Sequence, residues 1–93
     1  MPYRLEFLPQ ARKEWDKLNA TIRSQFVKKL RERLEHPRIQ ASALNGMPDH
    51  YKIKLRQLGY RLVCRVRDDV VTVTIVAVGK REQNKVYEAA RRR

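Results

Sequence analysis

The stretch VVTVTIVAV, residues 70–78, decides the fold of this 93-residue chain. It consists almost entirely of residues that favour strands, and it is apolar on both of the faces that a strand presents. A strand of this kind is typical of the buried middle of a sheet. The stretch therefore predicts a central strand, and Gly79 is predicted to end it.

Earlier parts of the chain alternate between apolar and polar residues, as half-buried strands do. This alternation predicts strands at 3–8 (YRLEFL), 51–56 (YKIKLR) and 60–67. The two aspartates at 68–69 predict the turn between the last two strands.

Apolar residues at helical spacing predict three helices. They are expected at 9–18 after Pro9, at 22–36 with Thr21 as the N-cap, and at 82–93, with 38–50 as a loop. The second helix is expected to stop at His36, because Pro37 disfavours helical geometry in the residue before it. In the last helix Val86, Tyr87 and Ala90 are the inward-facing candidates. The result is a single α+β domain over 1–93 with the order β-α-α-β-β-β-α. Its twisted, mainly antiparallel sheet carries the two N-terminal helices on one face, and a C-terminal helix completes it.

The charge of the chain is strongly positive, with 22 Lys and Arg against 10 Asp and Glu and a net charge of +12. That excess predicts a polyanionic partner, which can be a nucleic acid, an anionic membrane surface or an acidic protein. No segment has the roughly 18 apolar residues of a membrane span, and no signal peptide is visible, so a cytoplasmic protein is expected. The single cysteine, Cys64, lies in an apolar strand pattern and is expected to be an inert core residue.

The register of the hairpin 51–67 follows from its apolar pattern. Pairing Leu55 with Tyr60 brings the apolar faces of both strands together, whereas a slip of one residue would bury charges. The same register sets Lys54 directly opposite Arg61. We call the resulting group the cationic patch; it comprises Lys52, Lys54, Arg56 and Arg61. The patch can be a solvated polar face, but a merely solvated face normally mixes charges of both signs, so a phosphate-binding surface is the favoured interpretation.

The residues of this chain leave few kinds of chemistry open. His36 and His50 lie 14 residues apart without a carboxylate or thiolate at ligand spacing, so no metal site is predicted. No paired carboxylates are expected to face a common cleft, and no glycine-rich phosphate loop appears in the sequence. RNA, however, carries its own nucleophile, the 2′-hydroxyl. A lysine crowded by other cations has a lowered pKa, so Lys52 or Lys54 can act as a general base near neutral pH.

Four stretches carry a resemblance to a known family: KEWDKL (13–18), LNGMPDHYKIKLR (44–56), GYRLV (59–63) and VGKREQNKVY (78–87). Through them the chain resembles the RelE toxins of bacterial type II toxin–antitoxin systems. The resemblance implies a ribosome-dependent endoribonuclease that enters the A site of the 70S ribosome and cuts mRNA, leaving a 2′,3′-cyclic phosphate. It implies no metal and no other cofactor. It also implies a cognate RelB-like antitoxin as a partner.

The resemblance places the catalytic set on five residues of this chain, namely Lys52, Lys54, Arg61, Arg81 and Tyr87. It links the two lysines to activation of the 2′-hydroxyl, Arg61 to the charge of the phosphorane, Arg81 to the leaving group and Tyr87 to orientation of the RNA. Further contacts to RNA are predicted for Lys28, Lys29, Arg31, Arg33, Arg56, Arg65 and Lys80. The chain departs from the family pattern at Asn45, where close relatives carry a basic residue, and in the tail Arg91–Arg93.

Two other interpretations stay open. ParE-like toxins share the fold and poison DNA gyrase, but that branch lacks the lysine pair and the tyrosine of the last helix. A non-catalytic basic module would bind RNA without cutting it.

Overall fold

A four-stranded sheet with three α-helices makes up the computed structural model, which describes residues 2–93. The elements are β1 (Arg4–Phe7), α1 (Pro9–Asp16), α2 (Ala20–Glu35), a 3₁₀ turn (Gln40–Ser42), β2 (His50–Leu55), β3 (Tyr60–Arg67), β4 (Thr72–Lys80) and α3 (Lys85–Arg92). The strands lie in the order β1-β4-β3-β2, with β1 parallel to β4 and the other neighbours antiparallel. The predicted α+β class and order of elements are therefore confirmed.

The two faces of the sheet carry different layers. Under α1 and α2 lies the larger apolar cluster, in which Phe26 and Leu62 are fully buried. Under α3 lies a smaller cluster, in which Val86 and Ala90 of that helix pack on Val63 of β3. These two helical residues are buried, as predicted.

An irregularity in β4 lets this strand serve both clusters. Val63 pairs with Ala77 while Cys64 pairs with Ile75, so Val76 has no partner residue on β3. An extra residue of this kind is a β-bulge, and it changes the direction of the side chains that follow. Val76 and Ala77 both join the cluster under α3 as a result.

The predicted bounds of β4 were wrong at both ends. The strand begins at Thr72, because Asp68–Val71 form the turn and Val71 has a left-handed φ of 49° that breaks the strand geometry. It continues through Gly79 to Lys80, because these two residues pair with Arg61 and Tyr60 of β3.

The predicted helix ends were partly right. The second helix has His36 as its C-cap, as predicted, but its N-cap is Asn19 and not Thr21. The Asn19 side chain accepts a hydrogen bond of 2.9 Å from the backbone N–H of Ile22, which is the function of an N-cap. The last helix begins at Lys85 and not at residue 82, because Gln83 and Asn84 have left-handed backbone angles.

Further bounds differ from the predictions, and β1 covers Arg4–Phe7 and not 3–8. The first helix ends at Asp16 and not at residue 18. His50, predicted to belong to the loop, begins β2 because it pairs with Arg65, and Arg56 lies just beyond the end of that strand.

Candidate active site

The hairpin formed by β2 and β3 has the predicted register. Leu55 pairs with Tyr60, and Lys54 lies directly opposite Arg61. The apolar partners of this hairpin point toward α2, so the cations point to the opposite face, toward α3. Because β2 is an edge strand, its lysines have solvent on one side.

Arg61 is the most buried cation of the cationic patch. It is only 5% exposed, and its Nη1 donates a hydrogen bond of 2.9 Å to the backbone carbonyl of Tyr60. Gly79 faces it on β4. Burial restricts the guanidinium to a small range of positions, so Arg61 provides a fixed positive charge next to Lys54.

Arg81 is brought to the same region by the backbone. Its N–H donates a hydrogen bond of 2.7 Å to the carbonyl of Gly59, which belongs to the turn between β2 and β3. The residue after β4 is thereby tied to the start of β3, where Arg61 lies.

The cations lie close enough to Lys54 to affect its charge. The pKa of Lys54 is lowered, chiefly by the positive charge of Lys52, then by burial, and then by three arginines: Arg56, Arg61 and Arg81. None of the five ion pairs among residues 2–93 includes one of these five cations. Their positive charge is therefore not neutralised within the described part of the chain.

Tyr87 lies near Lys52 of the cationic patch. It is half-buried on α3, packs on the smaller apolar cluster, and lines a cavity of about 360 Å³ together with Lys52. The amides of Asn45 and Asn84 line the same cavity. An open space therefore borders both Tyr87 and the strand that carries Lys52.

A bidentate ion pair fixes the helix that carries Tyr87. The two terminal nitrogens of Arg93 donate to the two carboxylate oxygens of Glu14, at 2.8 and 3.0 Å. Arg93 also donates to the carbonyl of Val76, and Glu14 accepts from the N–H of Val78. These groups cover the edge of β4 beyond its last pair with β1. We call this arrangement the Glu14–Arg93 clasp.

The residues predicted only as RNA contacts divide into separate groups. Lys29, Arg33 and Arg56 line a groove that they share with Lys52 and Lys54. Lys28 and Arg31 are exposed on α2 outside this groove, and Lys80 is exposed at the end of β4. Arg65 follows Arg61 by four residues, or about 13 Å along β3, and lines a different cavity with Arg67 and Arg91. The structure therefore does not bring Arg65 to the cationic patch.

Three features in or near the candidate active site were not predicted from the sequence. Ser42 lines the groove between α2 and β2, and Asn84 lines the cavity of Tyr87, but a single hydroxyl or amide in a loop gives no pattern to detect. The Glu14–Arg93 clasp joins residues 79 positions apart, which no local spacing reveals.

Two usual kinds of second reactive centre among the side chains of residues 2–93 would be a reactive thiol and a metal site. Cys64 is buried in the core, as predicted, and burial raises the pKa of its thiol to about 11, which disfavours the reactive thiolate. Among residues 2–93, no three histidine, cysteine or acidic side chains come together to hold a metal ion. Within the same residues, no helix is long and apolar enough to cross a membrane.

Comparison with known proteins gives the family. The family described as ParE toxin of type II toxin–antitoxin system, parDE, matches residues 5–85. The chain is 56% identical over 93 residues to the mRNA interferase toxin RelE of Escherichia coli strain K12, covering all of this chain and 98% of the relative. It belongs to the RelE family of toxins. The mRNA interferase RelE of Shigella flexneri matches to the same degree.

Solved structures of RelE agree with this membership. A double mutant of E. coli RelE in the free state superposes with a TM-score of 0.91 at 54% identity, covering 99% of this chain and 97% of the other. RelE in the intact E. coli RelBE toxin–antitoxin complex superposes with a TM-score of 0.84 at 57% identity, covering 87% and 99% of the two chains.

Proposed function

We propose that this RelE-family toxin is a ribosome-dependent endoribonuclease that cleaves mRNA in the ribosomal A site and so stops translation. The observation that carries the proposal is the pair formed by Lys54 and Arg61. They lie opposite each other without a neutralising carboxylate in the described chain, and the pKa of Lys54 is lowered. Relatives at 56% identity are named mRNA interferases, which supports the same activity here.

The proposed first step is attack by a 2′-oxygen of the RNA on the adjacent phosphorus. Lys54, in its neutral form, takes the proton of the 2′-hydroxyl, and Lys52 helps by keeping the pKa of Lys54 low. The new bond places an additional negative charge on the oxygens of phosphorus. Arg61, which is buried and fixed, stabilises that charge where it develops.

The second step breaks the bond between phosphorus and the 5′-oxygen. The products are a 2′,3′-cyclic phosphate and a free 5′-hydroxyl. Arginine is a poor acid because its guanidinium keeps its proton far above neutral pH. We therefore assign to Arg81 the stabilisation of charge on the departing oxygen, which takes its proton from solvent. Tyr87 holds a neighbouring base by stacking on its ring.

The ribosome is the proposed source of precise RNA positioning. Side chains alone supply a base and two positive charges, and alignment of the reacting groups is what gives such chemistry its rate. The net charge of +12 fits a partner made largely of RNA. A ribosomal substrate also places the protein in the cytoplasm, with a RelB-like antitoxin as its regulator. Support for that antitoxin comes from the E. coli RelBE complex.

Mapping of 5′ ends on a ribosome-bound message tests the function. Purified protein added to programmed 70S ribosomes is expected to produce new 5′-hydroxyl ends within the A-site codon. The same message without ribosomes is expected to stay intact. Ends that appear at the same positions with and without ribosomes would contradict the proposal.

The proposal also states that the cleavage needs no catalytic metal ion. A sulfur in place of a non-bridging oxygen of the scissile phosphate weakens binding of Mg²⁺, and Mn²⁺ restores it when a metal acts there. We expect the rate with the sulfur-substituted message to be the same in Mg²⁺ and in added Mn²⁺. Recovery of the rate by Mn²⁺ would show that a metal takes part.

A second candidate is a ParE-like toxin that poisons DNA gyrase. It is favoured by one observation, the match of residues 5–85 to the ParE toxin family. Incubation with gyrase and plasmid separates the two candidates. DNA breaks that depend on gyrase, together with intact mRNA on the ribosome, would establish the second candidate and remove the first.

A further inference from the structure

A groove of about 300 Å³ runs along the outer edge of β2, between this strand and α2. We call it the edge groove. Its polar lining consists of Lys29, Arg33, Ser42, Lys52, Lys54 and Arg56. Five of these six side chains are cationic, and no carboxylate is part of the lining. A space with this lining attracts a small anion.

Arg33 forms the inner wall of the edge groove. Its Nη2 donates hydrogen bonds to Ser42 Oγ at 2.9 Å and to the carbonyl of Lys52 at 3.0 Å. Its Nη1 is buried and has no partner in the described chain. A charged donor that is buried without an acceptor costs free energy, and native structures seldom keep one without a reason.

An anion in the edge groove would stabilise both Arg33 and Ser42. It would neutralise part of the charge that Arg33 carries away from solvent. It would also give an acceptor to the hydroxyl hydrogen of Ser42, because the oxygen of that hydroxyl already accepts from Arg33.

We propose that the edge groove binds a backbone phosphate of RNA, at a position separate from the scissile phosphate. Lys52 and Lys54 line the groove and also belong to the candidate active site, so the two positions are contiguous. The choice of RNA as the donor of the phosphate rests on the proposed function. The phosphate can belong to the message or to ribosomal RNA, and both sources present the same chemistry.

The first test uses inorganic phosphate and needs no ribosome. In ¹H–¹⁵N spectra at constant ionic strength, we expect saturable shifts at Ser42 and at the Nε–H of Arg33. Ser42→Ala should abolish saturation at Arg33 while leaving the rest of the spectrum in place. Shifts that are linear and spread evenly over the basic surface would mean ion-atmosphere effects only, and would overturn the proposal.

The second test asks which RNA supplies the phosphate. The variant is Lys29→Gln with Arg56→Gln, which leaves Lys52 and Lys54 intact. Its matched control is Lys13→Gln with Lys17→Gln, which removes the same charge from two exposed positions, one on α1 and one at the C-cap of α1. Binding is measured against salt with ribosomes that carry a message with a 2′-deoxy nucleotide at the cleavage position, and with ribosomes that carry no message.

The groove variant is expected to lower the slope of log affinity against log salt by about one, and the control is not. A loss on both kinds of ribosome assigns the phosphate to ribosomal RNA, and a loss only with message assigns it to the message. Equal behaviour of variant and control on both would overturn the proposal.

These outcomes separate the inference from the proposed function. If wild-type protein does not cut ribosome-bound mRNA, the proposed function fails while phosphate binding is still measured directly. If it does cut and the groove variant equals its control, the inference fails while the function stands.

Discussion

Arg38 and Lys54 are two cations with opposite surroundings. Arg38 donates hydrogen bonds to Asp49 at 2.9 Å and to Asp68 at 3.1 Å, and it also contacts the hydroxyl of Tyr51. Lys54 has other cations as its charged neighbours. Arg38 contacts β2 through Tyr51, and Lys54 belongs to β2. The two residues therefore differ in their charged neighbours although they lie near the same strand.

The pKa values of the two groups move in opposite directions. Hydrogen bonds from Arg38 to Tyr51, Asp49 and Asp68 raise the pKa of Arg38. The charge of Lys52, followed by burial and by neighbouring arginines, lowers the pKa of Lys54. A cation with acceptors around it is held in its charged form and ties segments together. A cation among other cations has a weakened hold on its proton, and that property suits a general base.

The largest expected effect comes from Arg61→Ala. If Arg61 stabilises charge on phosphorus, its removal should slow single-turnover cleavage on the ribosome by a hundredfold or more. Affinity for RNA should fall by only about 1 kcal/mol, as for one lost phosphate contact. Parallel measurement of rate and binding therefore distinguishes a nuclease from a passive RNA-binding module.

The matched control is Arg67→Ala. Arg67 lies on the same strand and face as Arg61, but it is exposed and pairs with Asp69. Its rate should remain within about twofold of wild type, since exposed ion pairs contribute little. Equal and small losses in both variants would support the passive module.

The next effect concerns pH. A base works in its neutral form, so the cleavage rate should rise as the pH passes through the pKa of Lys54. Lys52→Gln removes the largest cause of the lowered pKa, so this rising limb should move to higher pH. Cleavage at neutral pH should then fall by less than for Arg61→Ala and should recover on the alkaline side.

Lys52→Arg serves as the control because it keeps the charge. The rising limb of this variant should stay where it is in the wild type. A limb that moves equally in Lys52→Arg and Lys52→Gln would show that the length of the side chain matters and not its charge.

The comparison also explains which features could be predicted from sequence. Strand alternation has a period of two, so the requirement to bury Leu55 with Tyr60 fixes the position of Lys54 opposite Arg61. That prediction is confirmed. The bounds of β4 were wrong, since the left-handed angle of Val71 depends on the turn and not on the preference of valine for strands.

Contacts between residues that are far apart in the sequence could not be predicted, for another reason. Periodicity shows which face a residue occupies, but not which partner it meets across the molecule. Glu14 and Arg93 are held together by the paths of α1 and α3 over β4. Thr21 was predicted as the N-cap of α2 by its residue type, but Asn19 is the N-cap and accepts the hydrogen bond from the N–H of Ile22. The assignment of catalytic roles rests on the resemblance and stays a prediction.

A smaller effect is expected for Glu14→Gln, which weakens the clasp on α3. Glutamine can still accept from Val78 but loses the ion pair with Arg93. The pair is only partly buried, so the cost should be about 1 kcal/mol of unfolding free energy. Amide hydrogen exchange should rise in α3 relative to β3, and thermal unfolding should occur at lower temperature.

The dependence of this loss on pH has a definite sign. Burial alone would raise the pKa of Glu14, but hydrogen bonds from Arg93 and Val78 and the charges of Arg93 and Lys17 together lower it. A carboxylate with a lowered pKa stabilises the fold above the ordinary carboxyl range and loses that contribution as the pH falls. The difference in stability between wild type and Glu14→Gln should therefore shrink in acid. A difference that grows in acid would contradict the assignment of the clasp as an ion pair.

The smallest effect is expected where the cation is already neutralised. Arg38→Gln removes contacts to two exposed carboxylates, so it should cost about 0.5–1 kcal/mol of stability and leave the cleavage rate within about twofold of wild type. Thermal unfolding and single-turnover cleavage, measured on the same preparation, check both values. Arg38→Gln could instead slow cleavage as much as Arg61→Ala while the fold stays intact. Pairing with a carboxylate would then not distinguish the structural cations of this protein from the reactive ones. A normal rate with a modest loss of stability would instead confine the chemistry to the cations that lack a carboxylate partner among residues 2–93, of which Arg61 is one and Arg38 is not.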